Sequence, residues 1–319
     1  MTDGWCGVEG IHGHKTRACI QIDADVDVTD AEISVTPREG RSRRSVRRYA
    51  ARALRAVVLL AFTAFFFAPL AWLVLAPTKT DYELLTRNPF AFGSLRNVSD
   101  AWRSVDGFSD HIFRRWIANS LLYSLSATLM TLATAIPAGY GIVVGMFPGR
   151  KLILSLTLVA LIMPPAALVL PIFLELNALR MIGSSASIVL PFAFFPFGVY
   201  LAYIYYTTAL PPALLDAARV DGCGEWAAFR HVGIPLAKPI VALVFFFSFA
   251  ANWNNFFLPY VFLSDERTLP IQVGLSDLFR SSRPAVALAA LIAAMPIAVV
   301  FVVSQRALLR GLVGGATKG

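Results

Sequence analysis

Six stretches of apolar residues, each long enough to cross a lipid bilayer, constrain this sequence more than any other feature. A helix of about 20 residues spans the hydrocarbon core of a membrane. Of all the Asp, Glu, Lys and Arg residues, only Glu175 falls inside a stretch, near its end, as expected where a central charge is costly. The sequence therefore predicts an all-α polytopic membrane protein of about six transmembrane helices. The stretches lie at about 56–76, 117–145, 152–176, 186–206, 239–263 and 285–303.

The composition excludes most soluble classes of protein. The chain of 319 residues is 57% apolar and only 15% charged, whereas a soluble domain is roughly a quarter charged. The net charge of +8 lies beside apolar segments and not on a nucleic-acid-binding motif, so we expect a lipid bilayer as partner and no nucleic acid. Three cysteines are too few and too scattered for a disulfide framework.

The distribution of basic residues predicts the orientation of the helices. With both termini placed in the cytoplasm, the inner segments after residue 40 carry fifteen Lys and Arg residues against three acids. The outer segments carry ten basic residues against nine acids. This excess of positive charge on one side is typical of cytoplasmic loops.

Residues 1–39 differ from the rest of the chain. They contain eight acids against three basic residues and no apolar stretch long enough for a secretory signal. We predict a disordered cytoplasmic N-terminal extension, or an extension that arises from the choice of start codon, followed by a transmembrane domain at 40–319. The spacing of Cys6, His12, His14 and Cys19 fits no standard zinc pattern, so no metal site is predicted.

The predicted inner loop at about 210–239 contains the most informative segment. Pro211 and Pro212 favour the start of a helix, and Gly222 and Gly224 favour its end. A second short helix is predicted at about 225–232, stopped by Pro235. Both helices are too short to span a membrane. Their pattern fits either a loop lying in the lipid interface or a projection that docks into a groove on a partner protein.

This loop resembles the EAA loop of permease subunits of ATP-binding-cassette (ABC) importers, in which a coupling helix inserts into a cleft on a cytoplasmic ATPase. The family pattern runs Glu-Ala-Ala, three residues, Gly, and then Phe and Leu-Pro downstream. Asp replaces Glu at the first position, Cys223 stands where Ala is usual, and Ile234 stands where Leu is usual. The residues that match the pattern are Asp216, Ala217, Ala218, Asp221, Gly222, Phe229 and Pro235.

Four further segments are similar to carbohydrate-importer permeases of the maltose-transporter type, and the last resembles the tail of the smaller of their two permeases. The similarity covers about residues 50–319. It implies a type I importer permease fold in a bacterial plasma (inner) membrane, working with a second homologous permease, two ATPase subunits and an extracytoplasmic sugar-binding protein. It implies no cofactor in this chain, since ATP and magnesium would be bound by the partner ATPase. The segments are 113–121, 147–151, 253–256 and 310–319.

A cluster in the fifth stretch is a candidate substrate path. An aromatic ring beside several amides suits sugar recognition, but the same pattern is typical of polar packing between helices. Glu175 is either an interfacial charge or a further contact for sugar or binding protein. The residues are Asn252, Trp253, Asn254, Asn255 and Glu175.

Other functions are less consistent with the sequence. It contains no Gly-x-x-x-x-Gly-Lys-Ser/Thr phosphate loop, so ATP hydrolysis is expected in a separate chain. An ion-coupled secondary transporter would favour ionisable groups at the bilayer midplane, and none occurs there. All four histidines lie in the extension or in loops, which disfavours a histidine-based active site, and we predict no catalytic residue. A permease for a solute other than a sugar remains the alternative.

Overall fold

The computed structural model describes the backbone of residues 40–313 and the side chains of residues 49–305. Over this range the chain is built from α-helices joined by short turns, and it contains no strand. Three 3₁₀ turns and one π-helical turn, Phe229–Gly233, join some of them. The α-helices are α1 Gly40–Leu75, α2 Asp81–Thr86, α3 Leu95–Asp106, α4 Ile112–Val144, α5 Arg150–Ile162, α6 Pro165–Ala178, α7 Ser185–Val189, α8 Pro196–Ala209, α9 Pro212–Val220, α10 Glu225–Ala228, α11 Ile234–Leu236, α12 Lys238–Trp253, α13 Phe257–Phe262, α14 Ile271–Leu278 and α15 Arg283–Val313.

The chain divides into two compact units, 1–62 and 63–319, with the division inside α1. In the first unit the described part is the beginning of α1, whose apolar side chains, such as Val57 and Leu60, are exposed. The predicted disordered extension at 1–39 lies outside the described residues and stays a prediction. All further description concerns the second unit.

The helices account for the predicted membrane spans with two changes. Among the described residues, four helical segments are long and apolar enough to cross a membrane, and two bent pairs raise the number to six. The predicted span at 152–176 is one of these pairs: α5 and α6 meet at 110°. Met163 and Pro164 adopt extended backbone angles between them, because a residue that precedes proline disfavours the helical conformation.

The predicted fifth span at 239–263 is not one helix. Helix α12 ends at Trp253, and α13 begins only at Phe257. The Asn255 side chain accepts a hydrogen bond from the Leu258 backbone N–H at 3.4 Å at the start of α13. Asparagine competes for backbone hydrogen bonds in this way and so favours helix ends. The second bent pair lies at the other end of α12, where it meets the 225–236 segment at 75°.

Helix α4 connects two hydrophobic clusters. Near its start, Phe113 and Trp116 pack with residues of α12, α14 and α15. Near its end, Ile136 and Tyr140 pack with residues of α8, α12 and the 210–239 loop. Both clusters therefore include residues of this one helix.

Small polar residues occupy the middle of α4. Thr131 and Thr134 donate hydrogen bonds of 2.7 Å to the carbonyls of Phe192 and Ala193, at the break between α7 and α8. Ser248 of α12 donates to Thr131 at 3.1 Å. Backbone groups at membrane depth need such partners because lipid offers none.

The 254–282 loop is held by the first turns of α4. Trp116 Nε1 donates to the Glu266 carbonyl at 2.9 Å, and Asn119 Nδ2 donates to the carbonyls of Arg267 and Leu269 at 2.9 and 3.0 Å. Tyr123 donates to the Thr268 carbonyl at 2.9 Å. This part of the loop is therefore fixed to α4 along about two turns of helix.

We expect the 210–239 and 254–282 loops to lie on opposite sides of the membrane. In a chain in which Cys6 and Cys19 are replaced by serine, Cys223 should react with a membrane-impermeant maleimide only after the cells are permeabilised. With Cys223 also replaced, Ser104→Cys and Arg280→Cys should react in intact cells. Both introduced positions are exposed. Labelling of Cys223 in intact cells would reverse the predicted orientation.

Candidate functional site

Helix α9 has well-defined ends. Pro211 and Pro212 occupy its first positions, where no backbone donor is needed. At its other end the Gly222 N–H donates to the Arg219 carbonyl at 3.0 Å, and the Cys223 N–H donates to the Ala218 carbonyl at 2.9 Å. These two bonds form a Schellman motif. The residue at its centre, Gly222, has φ = +80°, a conformation that favours glycine.

Helix α9 is largely exposed, with charged and aliphatic side chains on its surface. Asp216, Ala217 and Asp221 are exposed, whereas Ala218 is nearly buried. Asp216 lies in the second turn of α9, so its interaction with the helix dipole is weak, because that effect fades within the first turn. The exposed side of α9 is therefore free for a partner protein, as the predicted coupling role requires.

An arginine joins α9 to α10. Arg219 contacts the Glu225 carboxylate at 3.1 Å and the Asp216 carboxylate at 3.7 Å. All three side chains are at least 42% exposed, so each pair alone contributes little to stability. Together they link the two helices on either side of the Gly222 turn.

The predicted stop at Pro235 is wrong. Helical backbone continues from Glu225 through the π-helical turn to Leu236, and the sharp bend comes at Ala237. Pro235 lies in the first turn of α11, where its missing N–H is tolerated. The π-helical turn shifts the hydrogen-bond register just before it, which allows the helix to accept the proline.

Aromatic residues fix this second segment to the membrane helices. The buried Phe229 ring lies 5.0 Å from the Tyr140 ring of α4 and 5.4 Å from the exposed Trp226 ring. Tyr140 in turn packs edge-on against Tyr206 of α8 at 5.3 Å. Aromatic pairs of this kind stabilise a contact by more than the burial of their apolar area alone.

A cleft of about 550 Å³ lies between the end of α4 and this segment. Its walls include Tyr140, Phe147, Trp226 and Phe229, with Arg219 and Glu225 beside them. The second segment is therefore not packed against α4 along its whole length.

Sequence reasoning missed the residues that hold the loop in place: Tyr140, Tyr205, Tyr206 and Arg219. Tyr205 and Tyr206 lie in the last turns of α8, directly before the loop. These two adjacent tyrosines could have been recognised from the sequence, because a buried tyrosine usually finds a partner for its hydroxyl.

Some residues of the candidate substrate path pack within or between helices, and others are exposed. Trp253 is 1% exposed, and its Nε1 donates to the Ala293 carbonyl of α15 at 2.9 Å. Asn252 Nδ2 donates to the Ser248 carbonyl at 2.9 Å within α12. Asn254 and Glu175 are exposed. The Trp253 ring thus packs between helices, and a substrate role for the five residues stays a prediction.

Among the described residues, the Nδ2 atom of Asn255 is buried without a hydrogen-bond partner, as are the hydroxyls of Thr128 and Tyr140. A group of three or more His, Cys, Asp and Glu residues suited to a metal is likewise not found among them. Cys6, His12, His14 and Cys19, considered above for a metal site, lie outside that part of the chain.

Comparison with known proteins shows the family to which the chain belongs. The sequence pattern of the family described as "Binding-protein-dependent transport system inner membrane component" matches residues 135–314, more than half of the chain. The arabinooligosaccharides transport system permease protein AraQ of Bacillus subtilis (strain 168) is 30% identical over 79% of this chain and 90% of its own length. The lactose transport system permease protein LacG of Rhizobium radiobacter is 29% identical over 80% of this chain and 92% of its own.

A solved structure agrees in fold. A chain of a bacterial ABC transporter involved in the import of the acidic polysaccharide alginate superposes with a TM-score of 0.71 and 22% identity, over 85% of this chain and 99% of that chain. The fold is therefore that of an importer permease. The matched pattern, the similarity to AraQ and the exposed α9 agree: the chain belongs to the family of binding-protein-dependent transport system inner membrane components.

Proposed function

We propose that this chain is the membrane-spanning permease subunit of an ABC importer that carries a sugar or oligosaccharide into the cytoplasm, driven by ATP hydrolysis in separate subunits. The observation that carries the proposal is α9, a short exposed helix with an EAA-type sequence that is joined to the membrane helices through Phe229 and Tyr140. Such a helix suits insertion into a groove on a partner protein.

The choice of a sugar rests on the relatives. AraQ and LacG are named for the transport of arabinooligosaccharides and of lactose. We infer that the solute belongs to the same class, which the predicted amides at Asn252, Asn254 and Asn255 suit chemically. A solute without sugar hydroxyls is the alternative, and a transport assay with both classes separates them.

The exposed helices support a heterodimer with a second permease. Helix α5 buries only Thr157, and α6 buries only Val169 and Leu176. Many of their other apolar side chains, such as Leu156, Val159 and Leu170, are exposed, and lipid and a second permease would cover them. We propose that two ATPase subunits bind α9 and its counterpart, and that an external binding protein delivers the solute to the opposite side.

The mechanism follows from these contacts. Closure of the ATPase pair on ATP would pull the two coupling helices together. Phe229 and Tyr140 would transmit this movement to α4 and α8, and α4 would carry it to the cluster at its other end. The permease would then open outward and receive the solute from the binding protein.

We expect the purified chain alone to hydrolyse no ATP above background, because its sequence contains no phosphate-binding loop. In proteoliposomes that also contain the second permease, the ATPase and the loaded binding protein, ATP should drive uptake of radiolabelled lactose or arabinotriose. Omission of the ATPase should remove both hydrolysis and uptake. Magnesium-dependent hydrolysis by the chain alone would contradict the proposal that separate subunits hydrolyse ATP.

A further inference from the structure

Both ends of the 210–239 loop meet at the last turns of α8. The chain leaves α8 after Ala209 and forms α9, and it returns through α10, the π-helical turn and α11. There the Tyr206 hydroxyl donates to the Gly233 carbonyl at 3.1 Å, and the Tyr205 hydroxyl donates to the Leu236 carbonyl at 2.7 Å. These bonds span 27 and 31 residues and close the loop at its base.

The two acceptor carbonyls lie where the helical backbone is irregular. Gly233 ends the π-helical turn, and Leu236 ends α11 just before the bend at Ala237. The Gly233 carbonyl already accepts the Ala237 N–H at 3.0 Å, so the Tyr206 hydroxyl is its second donor. Carbonyls at helix ends lack a regular partner within the helix, and the Tyr205 hydroxyl supplies one for Leu236. The two hydroxyls thus bond on either side of Pro235.

The base of the loop is also closely packed. A methyl group built on Gly233 would lie 3.0 Å from two carbons of the Tyr140 ring and from one carbon of the Phe229 ring. Tyr206 is fully buried, and its ring packs against Tyr140 and Tyr205. The hydroxyl groups therefore act from rings whose positions are already fixed.

We infer that Tyr205 and Tyr206 are positioning residues for energy coupling: their hydroxyls fasten the bend to α8 so that α9 and α12 move as one body. This rests on the proposed function, because α9 must first bind an ATPase. Without these bonds the base of the loop opens, and a displacement of α9 is absorbed by the bend at Ala237 and does not reach α12.

The test is the number of solute molecules imported per ATP hydrolysed by the complete complex in proteoliposomes, with radiolabelled lactose and arabinotriose as probes. The variant is Tyr205→Phe combined with Tyr206→Phe, which keeps both rings and removes both hydroxyls. The matched control is Tyr203→Phe on the same helix, since the Tyr203 hydroxyl makes no hydrogen bond within the described residues. We expect the ratio to fall about fivefold or more in the double variant, because two bonds of the usual strength are lost, and to stay unchanged in the control.

The ratio separates coupling from mere stability, because poorer folding lowers the yield of complex but not the import per ATP of the complex that forms. If the wild type imports a probe and the double variant keeps the wild-type ratio, the inference is wrong and the proposed function stands. An equal fall in the control would also overturn it. If ATP drives import of neither probe by the wild type, the proposed sugar function fails, and the inference falls with it.

Discussion

Replacement of Gly222 by proline is expected to reduce ATP-driven uptake to background while the membrane helices still insert. Gly222 has φ = +80°, which proline cannot adopt. Its N–H, which donates to the Arg219 carbonyl, would also be lost. The Schellman motif would break, and α9 would point in a different direction relative to α10. Uptake and ATP hydrolysis by the assembled complex are the measurements.

Two neighbouring glycines make the experiment specific. Gly224 has an ordinary backbone conformation, with φ = −69°, and nothing lies within 4 Å of an added methyl group, so Gly224→Ala should be nearly neutral. Gly222→Ala meets no atom within 4 Å either, but it carries the strain of positive φ, about 1–2 kcal/mol. Uptake should therefore be highest for Gly224→Ala, lower for Gly222→Ala and lowest for Gly222→Pro. Wild-type uptake by Gly222→Pro would show that α9 does not transmit energy from the ATPase.

Replacement of Gly274 by alanine is expected to destabilise the opposite end of the protein by about 3 kcal/mol or more, the upper part of the range for overpacking. A methyl group at Gly274 would overlap the buried indole of Trp116, which is itself hydrogen-bonded to the Glu266 carbonyl. Neither α14 nor α4 can shift without breaking the other bonds between α4 and the 254–282 loop. The thermal midpoint of the protein in detergent measures the effect.

A control and a double variant show whether the effect comes from this contact. Gly141 of α4 has no atom within 4 Å of an added methyl group, so Gly141→Ala should leave the thermal midpoint unchanged or raise it slightly. Trp116→Ala removes the ring atoms that the added methyl group would meet. In that background, Gly274→Ala should lower the thermal midpoint clearly less than it does in the wild type. Equal costs in both backgrounds would show that the clash is not with Trp116.

The sequence was sufficient to predict the membrane class, because apolar length is a local property, and its six spans match the four long helices and two bent pairs of the described residues. It was not sufficient to predict the shape of the spans. The chain at Pro164 and Pro165 turns by 110°, whereas Pro137 lies inside the continuous helix α4. At the break two successive prolines place both Met163 and Pro164 before a proline, and both are extended, whereas the residue before the single Pro137 keeps its helical conformation.

In the 210–239 loop, too, some features could be predicted from the sequence and others could not. Gly222 was predicted at the end of the first short helix, since a helix end with positive φ strongly favours glycine. The continuation through Pro235 was missed, because it depends on a π-helical turn and on hydroxyl groups of α8 more than twenty residues away. Trp253 was undecided between sugar recognition and packing, and only its bond to Ala293, 40 residues later, favours packing.

The hydrogen bonds between α4 and the 254–282 loop have a consequence for how the protein is made. Trp116, Asn119 and Tyr123 bond to carbonyls 145 to 150 residues later in the chain. When α4 leaves the ribosome, none of these partners has been synthesised, and an unsatisfied polar group is costly in the membrane. The first turns of α4 must therefore wait near the headgroups, or beside the insertion machinery, until almost the whole chain is complete. A nascent chain that stops before residue 266 keeps these donors unpaired, which gives membrane quality control a chemical mark of an unfinished permease.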